Sequence, residues 1–295
     1  MEILVSSENK KLIEDCKKRW CVNGLVKDKV IEHFEKVIGD FLGQFDYEEK
    51  KIIISLIDKF EYYGQIRVNN YFSDIYDILS IKNKWDEDET IFLPIEKEDK
   101  ANSSEMYTNL FVLYNRINYW QCVSIRDEEK FEKWKIKGKR IIIIDDFCGS
   151  GNTLKGFIEK YRDKFKGKEI YYIVIHAMKE GKMQIEELKY ESIIIKIFGC
   201  EESNKAFDGN ETCRKIFGEI SKKYGLKKEE DIFGYEETEA LVAFNSNTPN
   251  NTLGIFCKKN KCNSFPIFPR KYDPKPIWQN NKEQTKKRAN ERYGV

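Results

Sequence analysis

The chain has 295 residues, enough for one large domain or two smaller ones with a full hydrophobic core. Its charges nearly cancel, 52 Lys and Arg against 50 Asp and Glu, which excludes a whole-molecule field for nucleic acid; any such binding needs a local patch. Apolar runs fall far short of the ~20 residues that span a bilayer, and "MEILVSSENKK" lacks the apolar stretch of a secretory leader, so a cytoplasmic protein with no membrane association is expected.

Residues 8 to about 80 read as helices. "NKKLIEDCKKRW", "KDKVIEHFEKVIGDFLGQF" and "YEEKKIIISLIDKFEYY" repeat apolar positions at three- and four-residue steps, and "VNNYFSDIYDILSI" follows. A packing bundle is expected there, with a winged-helix-like module as the alternative. The charged break "KWDEDET" sets a boundary, giving a helical N-terminal region over 1–85, an α/β core over 86–262 and a C-terminal extension over 263–295. From Gln279 that extension is polar with a basic bias.

Within the core, "TIFLPI" reads as a strand. A polar loop, "EKEDKANSSE", then leads to a helix with an apolar stripe through Met106, Leu110, Leu113 and Ile117. "NYWQCVSIRDEEKFEKWKIKG" reads as a mobile segment able to close over a ligand. A strand Arg140–Ile144, a helix from about Asn152 to Lys164, the strand "EIYYIVIHA", a helix around "QIEELKY" and the strand "SIIIKIFG" follow, with "EALVAF" as one more strand. Short, continuously apolar strands alternating with helices predict a parallel sheet covered on both faces.

Eight cysteines, at 16, 21, 122, 148, 200, 213, 257 and 262, read as reduced thiols and core fillers. Cys257 and Cys262 in "CKKNKC" are at the loose end of zinc-ligand spacing, with Cys200 or Cys213 as the available partners. His33 and His176, the only histidines, sit in apolar-periodic surroundings and read as packing residues. Their scarcity weighs against a histidine base.

The chemistry concentrates in "IIIIDDFCGSGNTL". Ligands of a doubly wound sheet bind beyond the carboxyl ends of its strands, where Asp145 and Asp146 fall. Two adjacent carboxylates raise one another's pKa unless ligand hydroxyls or a metal-bound water faces them. Gly149 and Gly151 let the backbone approach a ligand, and Ser150, Asn152 and Thr153 add short polar groups. The helix starting here points free N–H groups into the loop, each dipole contribution to an anion being ~0.3–1 kcal/mol. That combination suits a ribose 5-phosphate. The plainer alternative is a strand-to-helix turn capped by Ser150 or Asn152.

This stretch resembles the ribose-phosphate motif of type I phosphoribosyltransferases, and the order of elements is similar over roughly residues 86 to 256. The resemblance implies that fold, with Asp145 and Asp146 as catalytic residues on the ribose hydroxyls and Gly149, Ser150, Gly151, Asn152 and Thr153 around the 5-phosphate. It further implies Mg²⁺ held through ligand and water rather than by side chains, and places Lys100 and Ser103 of "KEDKANSS" at the pyrophosphate, against a plain solvated loop. Gly149 departs from the family's usual Thr or Asp, and Asn152 from Gly or Lys.

"FEYYGQIRVNNYFSDIYDIL", "FLPIEKEDKANSSEMY" and "ALVAFNSNTPNNTLGIF" are similar to a narrower group, phosphoribosyltransferase-like proteins of bacterial conflict systems. That implies an effector in anti-phage defence, partnered by another protein or a nucleic-acid-containing complex. "NTPNNT" reads as a turn or as amides converging beside the ribose. The alternatives are a nucleotide sensor on the same fold and an adenosylmethionine-dependent methyltransferase. The latter needs a Pro-Pro-aromatic motif, and no Pro-Pro occurs; a kinase-type P-loop fails for want of Lys before Thr153.

Overall fold

The computed structural model describes residues 7–21, 32–82, 86–96, 103–135 and 138–270. Three helices come first, α1 (Ser7–Trp20), α2 (Phe34–Leu42) and α3 (Tyr47–Ile57). Asp46 and Glu49 close a capping box at the start of α3, each side chain accepting from the other's backbone N–H at 3.0 Å. The strand β1 (Glu61–Tyr63) leads into α4 (Gln65–Asp77). Next come β2 (Thr90–Phe92), α5 (Ser103–Tyr114), α6 (Glu128–Lys135), β3 (Arg140–Cys148), α7 (Asn152–Lys160), β4 (Lys168–Met178) and α8 (Lys179–Glu186). The chain continues through β5 (Ile193–Ser203), α9 (Glu211–Lys223), α10 (Glu229–Phe233), β6 (Val242–Phe244) and α11 (Gly254–Cys257).

The strands form a parallel α/β arrangement, as their continuous apolar runs require. β2, β3, β4 and β5 lie side by side in that order, all parallel. Both faces of this sheet are covered. Ile141 and Ile143 of β3 pack with Leu154, Phe157 and Ile158 of α7, Phe131 and Trp134 of α6 and Ile185 of α8. On the other face, Ile142 and Ile144 pack with Val68, Phe72 and Ile75 of α4 and Tyr107, Phe111 and Val112 of α5. An isoleucine run fits this site because β-branched side chains are stiff and fill a pleated surface buried on both sides.

Long-range pairing revises several local expectations. "FEYY" was expected to continue a helix, but α3 ends at Ile57 and Glu61–Tyr63 is a strand. Its partner is β6, which was expected in the main sheet and instead forms a separate parallel pair with β1. The first and last thirds of the chain also share one apolar cluster, in which Trp20, Phe34, Phe41 and Phe60 meet Phe217, Phe233, Phe256 and Phe268. Residues before and after position 85 therefore contribute to the same packed layers.

The apolar stripe expected on α5 is split: Leu110 and Ile117 are half-buried against the core, and the other two residues face away from it. Met106 and Leu113 are 39% and 67% exposed, while Ser104, Tyr107, Thr108, Phe111 and Val112 are buried. Ser104 sets this rotation, because its Oγ donates to Ile144 O at 2.7 Å and accepts from Ile95 N at 2.9 Å. The segment expected to be a mobile closure contributes core wall in part of its described length, although Tyr119 and Trp120 are exposed. Cys122 bridges to Phe92, and Val123, Ile125, Phe131 and Trp134 are buried. Lys168 Nζ also donates to Lys135 O at 2.7 Å and Gly138 O at 2.5 Å.

The histidines divide. His33 is exposed just before α2 and is not a packing residue. His176 is buried, with Nδ1 2.7 Å from Tyr63 Oη, Nε2 2.8 Å from Ser203 Oγ, and its ring stacked on Phe147. Burial, aided by the Arg67 charge, lowers its pKa to about 3, so the ring is neutral. Cys257 is buried with Sγ against the Thr252 and Leu253 carbonyls, whereas Cys262 is exposed. Among the described residues, no group of three or more His, Cys, Asp or Glu could hold a metal ion. No helix there is long and apolar enough to cross a membrane.

Candidate functional site

β3 delivers Asp145 and Asp146 to the carboxyl end of the sheet. Asp145 is 6% exposed; its Oδ1 accepts from Ser103 Oγ at 2.6 Å and from Asp146 N at 3.0 Å. Ser103 opens α5, so the residue expected at the pyrophosphate is joined to the acid pair. Lys100 lies outside the described residues. Burial first, then the neighbouring Asp146 charge, raises the Asp145 pKa well above the ordinary carboxylate range. Burial also raises that of Asp146, against the hydrogen bonds of Asp145 and Ser103. Among the described residues no ion pair reaches either acid, so nothing there offsets the cost that burial puts on their charge. Tyr107 faces the same acids, hydrogen-bonded to Ser246 Oγ at 3.0 Å, and burial plus their charge keeps its phenol protonated.

The small-residue loop starts α7 without a side-chain cap. Gly151 is the N-cap residue at φ 83° and ψ −10°, the left-handed region where glycine is not strained. The plainer alternative, a turn capped by Ser150 or Asn152, is not what forms: Ser150 Oγ reaches only Asn152 N, at 3.4 Å. The first helical N–H groups are therefore available to an anion. A cavity of about 300 Å³ opens over this loop, lined by Cys148 to Leu154 with Phe147, Tyr172, Tyr235, Asn250 and Asn251. It thus gathers Gly149, Ser150, Gly151, Asn152 and Thr153, while Asp145 and Asp146 are not in its lining.

The departures at Gly149 and Asn152 have structural causes. A Cβ on Gly149 would sit 2.5 Å from Asn251 Nδ2, so the Asn251 amide takes the space a side chain at 149 would need. Asn251 Nδ2 is held by Thr238 Oγ1 at 2.9 Å and Tyr235 O at 3.3 Å. The "NTPNNT" segment therefore does bring an amide to the loop. Asn152 Nδ2 donates to both Glu236 carboxylate oxygens at 3.0 Å, and its Oδ1 accepts from Gln184 Nε2 at 2.9 Å. Tyr235, Glu236 and Gly181 were not foreseen. They carry no motif and reach the loop only through the fold.

The Gly149 contact has a measurable consequence. Gly149→Thr should lower stability by roughly 1–3 kcal/mol through overpacking, and adding Asn251→Ala should recover most of that loss. Thermal melts of the two single variants and the double variant check this; a double variant no better than Gly149→Thr would mean that Asn251 is not the obstacle.

Comparison with known families bears on this geometry. The PRTase-CE family matches residues 38–270, which takes in both sheets, the acid pair and the loop. The chain belongs to the PRTase-CE family. A search of curated proteins finds no match. Among solved structures, the PRTase-CE chain is similar to the Helicobacter pylori xanthine-guanine-hypoxanthine phosphoribosyltransferase. Identity is 12% over 53% of this chain and 96% of that one, with a TM-score of 0.29. A likeness that distant decides nothing about substrate.

Proposed function

We propose that this PRTase-CE protein binds a ribose 5-phosphate group, as 5-phosphoribosyl 1-pyrophosphate or a nucleotide, and transfers the phosphoribosyl unit. The observation carrying this reading is an acid pair, Asp145 buried and Asp146 half-buried, that runs directly into an uncapped helix start. Asp145 and Asp146 are acceptors suited to vicinal hydroxyls, and the amides from Gly149 to Thr153 suit a phosphate. In the reaction the bond from C1 to pyrophosphate breaks and one from C1 to the acceptor forms. The chain contributes by positioning the sugar and excluding water from C1.

Mg²⁺ suits this donor set, since two adjacent carboxyl groups, Asp146 half-buried and neither with an ion-pair partner among the described residues, can face a hydrated divalent cation. When bound through ligand and water beside Asp145 and Asp146, it would supply neutralising charge for the pyrophosphate. An effector role in anti-phage defence, in the cytoplasm and with a protein or nucleic-acid-containing partner, rests on the sequence resemblance.

The filled space beside Gly149 favours a second reading, a nucleotide sensor that binds without turnover. Isothermal titration with 5-phosphoribosyl 1-pyrophosphate and Mg²⁺, run beside adenosylmethionine, separates these. Saturable binding of the sugar phosphate with pyrophosphate release on an added base supports the transferase, and binding without release supports the sensor. Tight binding of adenosylmethionine in its place would overturn both.

A further inference from the structure

The turn after α10 lies against the loop in a form that suits a closure. Glu236, Glu237 and Glu239 have φ of 54°, 50° and 51°, left-handed values that side chains other than glycine rarely adopt. Gly234 begins the turn at φ 81°, where a Cβ would meet Asn251 O at 2.0 Å. Arg214 holds the other end, its Nε donating to Glu239 at 2.6 Å and a terminal nitrogen to Glu237 at 2.6 Å. The exposed Glu236 is left to reach the loop, where both its oxygens accept from Asn152 Nδ2. Tyr235 of the same turn lines the cavity.

Resting on the phosphate role proposed for the loop, we propose that residues 234–239 are an autoinhibitory strap whose Glu236 carboxylate opposes anion entry and is displaced when a phosphate binds. A carboxylate beside the first residue of α7 is favoured by the helix dipole, as a ligand phosphate would be. Two anions at that one helix end repel each other, so only one stays. The left-handed residues make the strap a strained segment that its tethers hold in place. Thr238 and Glu239 are buried while Tyr235 to Glu237 are exposed, so the exposed part can swing without opening the core.

The test is titration of the full chain and its Glu236→Gln variant with 5-phosphoribosyl 1-pyrophosphate plus Mg²⁺, with ribose 5-phosphate, and with inorganic phosphate. Glutamine keeps an oxygen for Asn152 and removes the charge. Affinity for phosphate-bearing probes should rise roughly 5- to 20-fold, and Arg214→Gln, which frees the tether, should move it the same way. Equal or weaker binding by Glu236→Gln, with an unchanged melting temperature, would overturn the strap and leave the phosphate site standing. Binding by neither protein to any probe would remove the phosphate site, and the strap with it.

Discussion

Replacing Asp145 and Asp146 together by asparagine should abolish binding of 5-phosphoribosyl 1-pyrophosphate while making the ligand-free protein melt at a higher temperature at pH 7. Both acids have folded pKa values raised mainly by burial. An acid raised in this way adds stability below its unfolded pKa of ~3.9. That contribution is lost as pH climbs through the folded value, so near neutrality the pair works against the fold. Asparagine has nearly the same shape without the charge. The melting temperature at pH 7 should rise on the order of a few degrees, and the gain over wild type should shrink as pH falls from the raised folded values towards ~4. Losing two charged acceptors for ligand hydroxyls should weaken binding at least ~100-fold, at about 1.5–3 kcal/mol per bond. Calorimetric titration and melts between pH 4 and 8 check both halves. Unchanged affinity would remove the acids from the site, and a lower melting temperature at every pH would make them structural.

Gly181→Ala should place a strongly damaging methyl group next to the loop. Its Cβ would fall 1.9 Å from Gly149 O and 2.8 Å from Gly149 C, so α8 and the loop are in backbone contact. In an open helix position the same change helps by up to ~1 kcal/mol. Here the obstacle is a carbonyl that cannot rotate aside, and overpacking of ~1–3 kcal/mol or more prevails. The loop moves, the amides at the start of α7 lose their aim, and affinity for 5-phosphoribosyl 1-pyrophosphate falls more than ~10-fold. Gly156→Ala on α7 is the matched control, since nothing lies within 4 Å of its Cβ. A lower melting temperature and weaker binding for Gly181→Ala, with neither for Gly156→Ala, is the expected pattern. Equal behaviour of the two would mean that the loop tolerates displacement.

How far the site was legible follows from where its information lies. β3, its two acids and the glycine loop are contiguous, and a β-branched run, twin carboxylates and two glycines each constrain the backbone locally. Ser103 was legible only by position relative to a strand, and the structure joins it to Asp145 rather than leaving it in a solvated loop. Asn251 showed a weak signal as one of several turn amides. Glu236 and Gly181 showed none, because a glutamate in a charged stretch and a glycine in a short helix are ordinary residues until the fold sets them against Asn152 and Gly149.

By itself the sequence determined the parallel α/β class, the main strands and the strand–acid–loop–helix unit, since each follows from periodicity or backbone preference within about a dozen residues. Tertiary structure alone decided that Glu61–Tyr63 pairs with Val242–Phe244, that α5 turns its tyrosine and phenylalanine inward, and that an asparagine fills the space beside Gly149. Those choices depend on which surfaces far apart in the chain bury one another, and local periodicity does not record that.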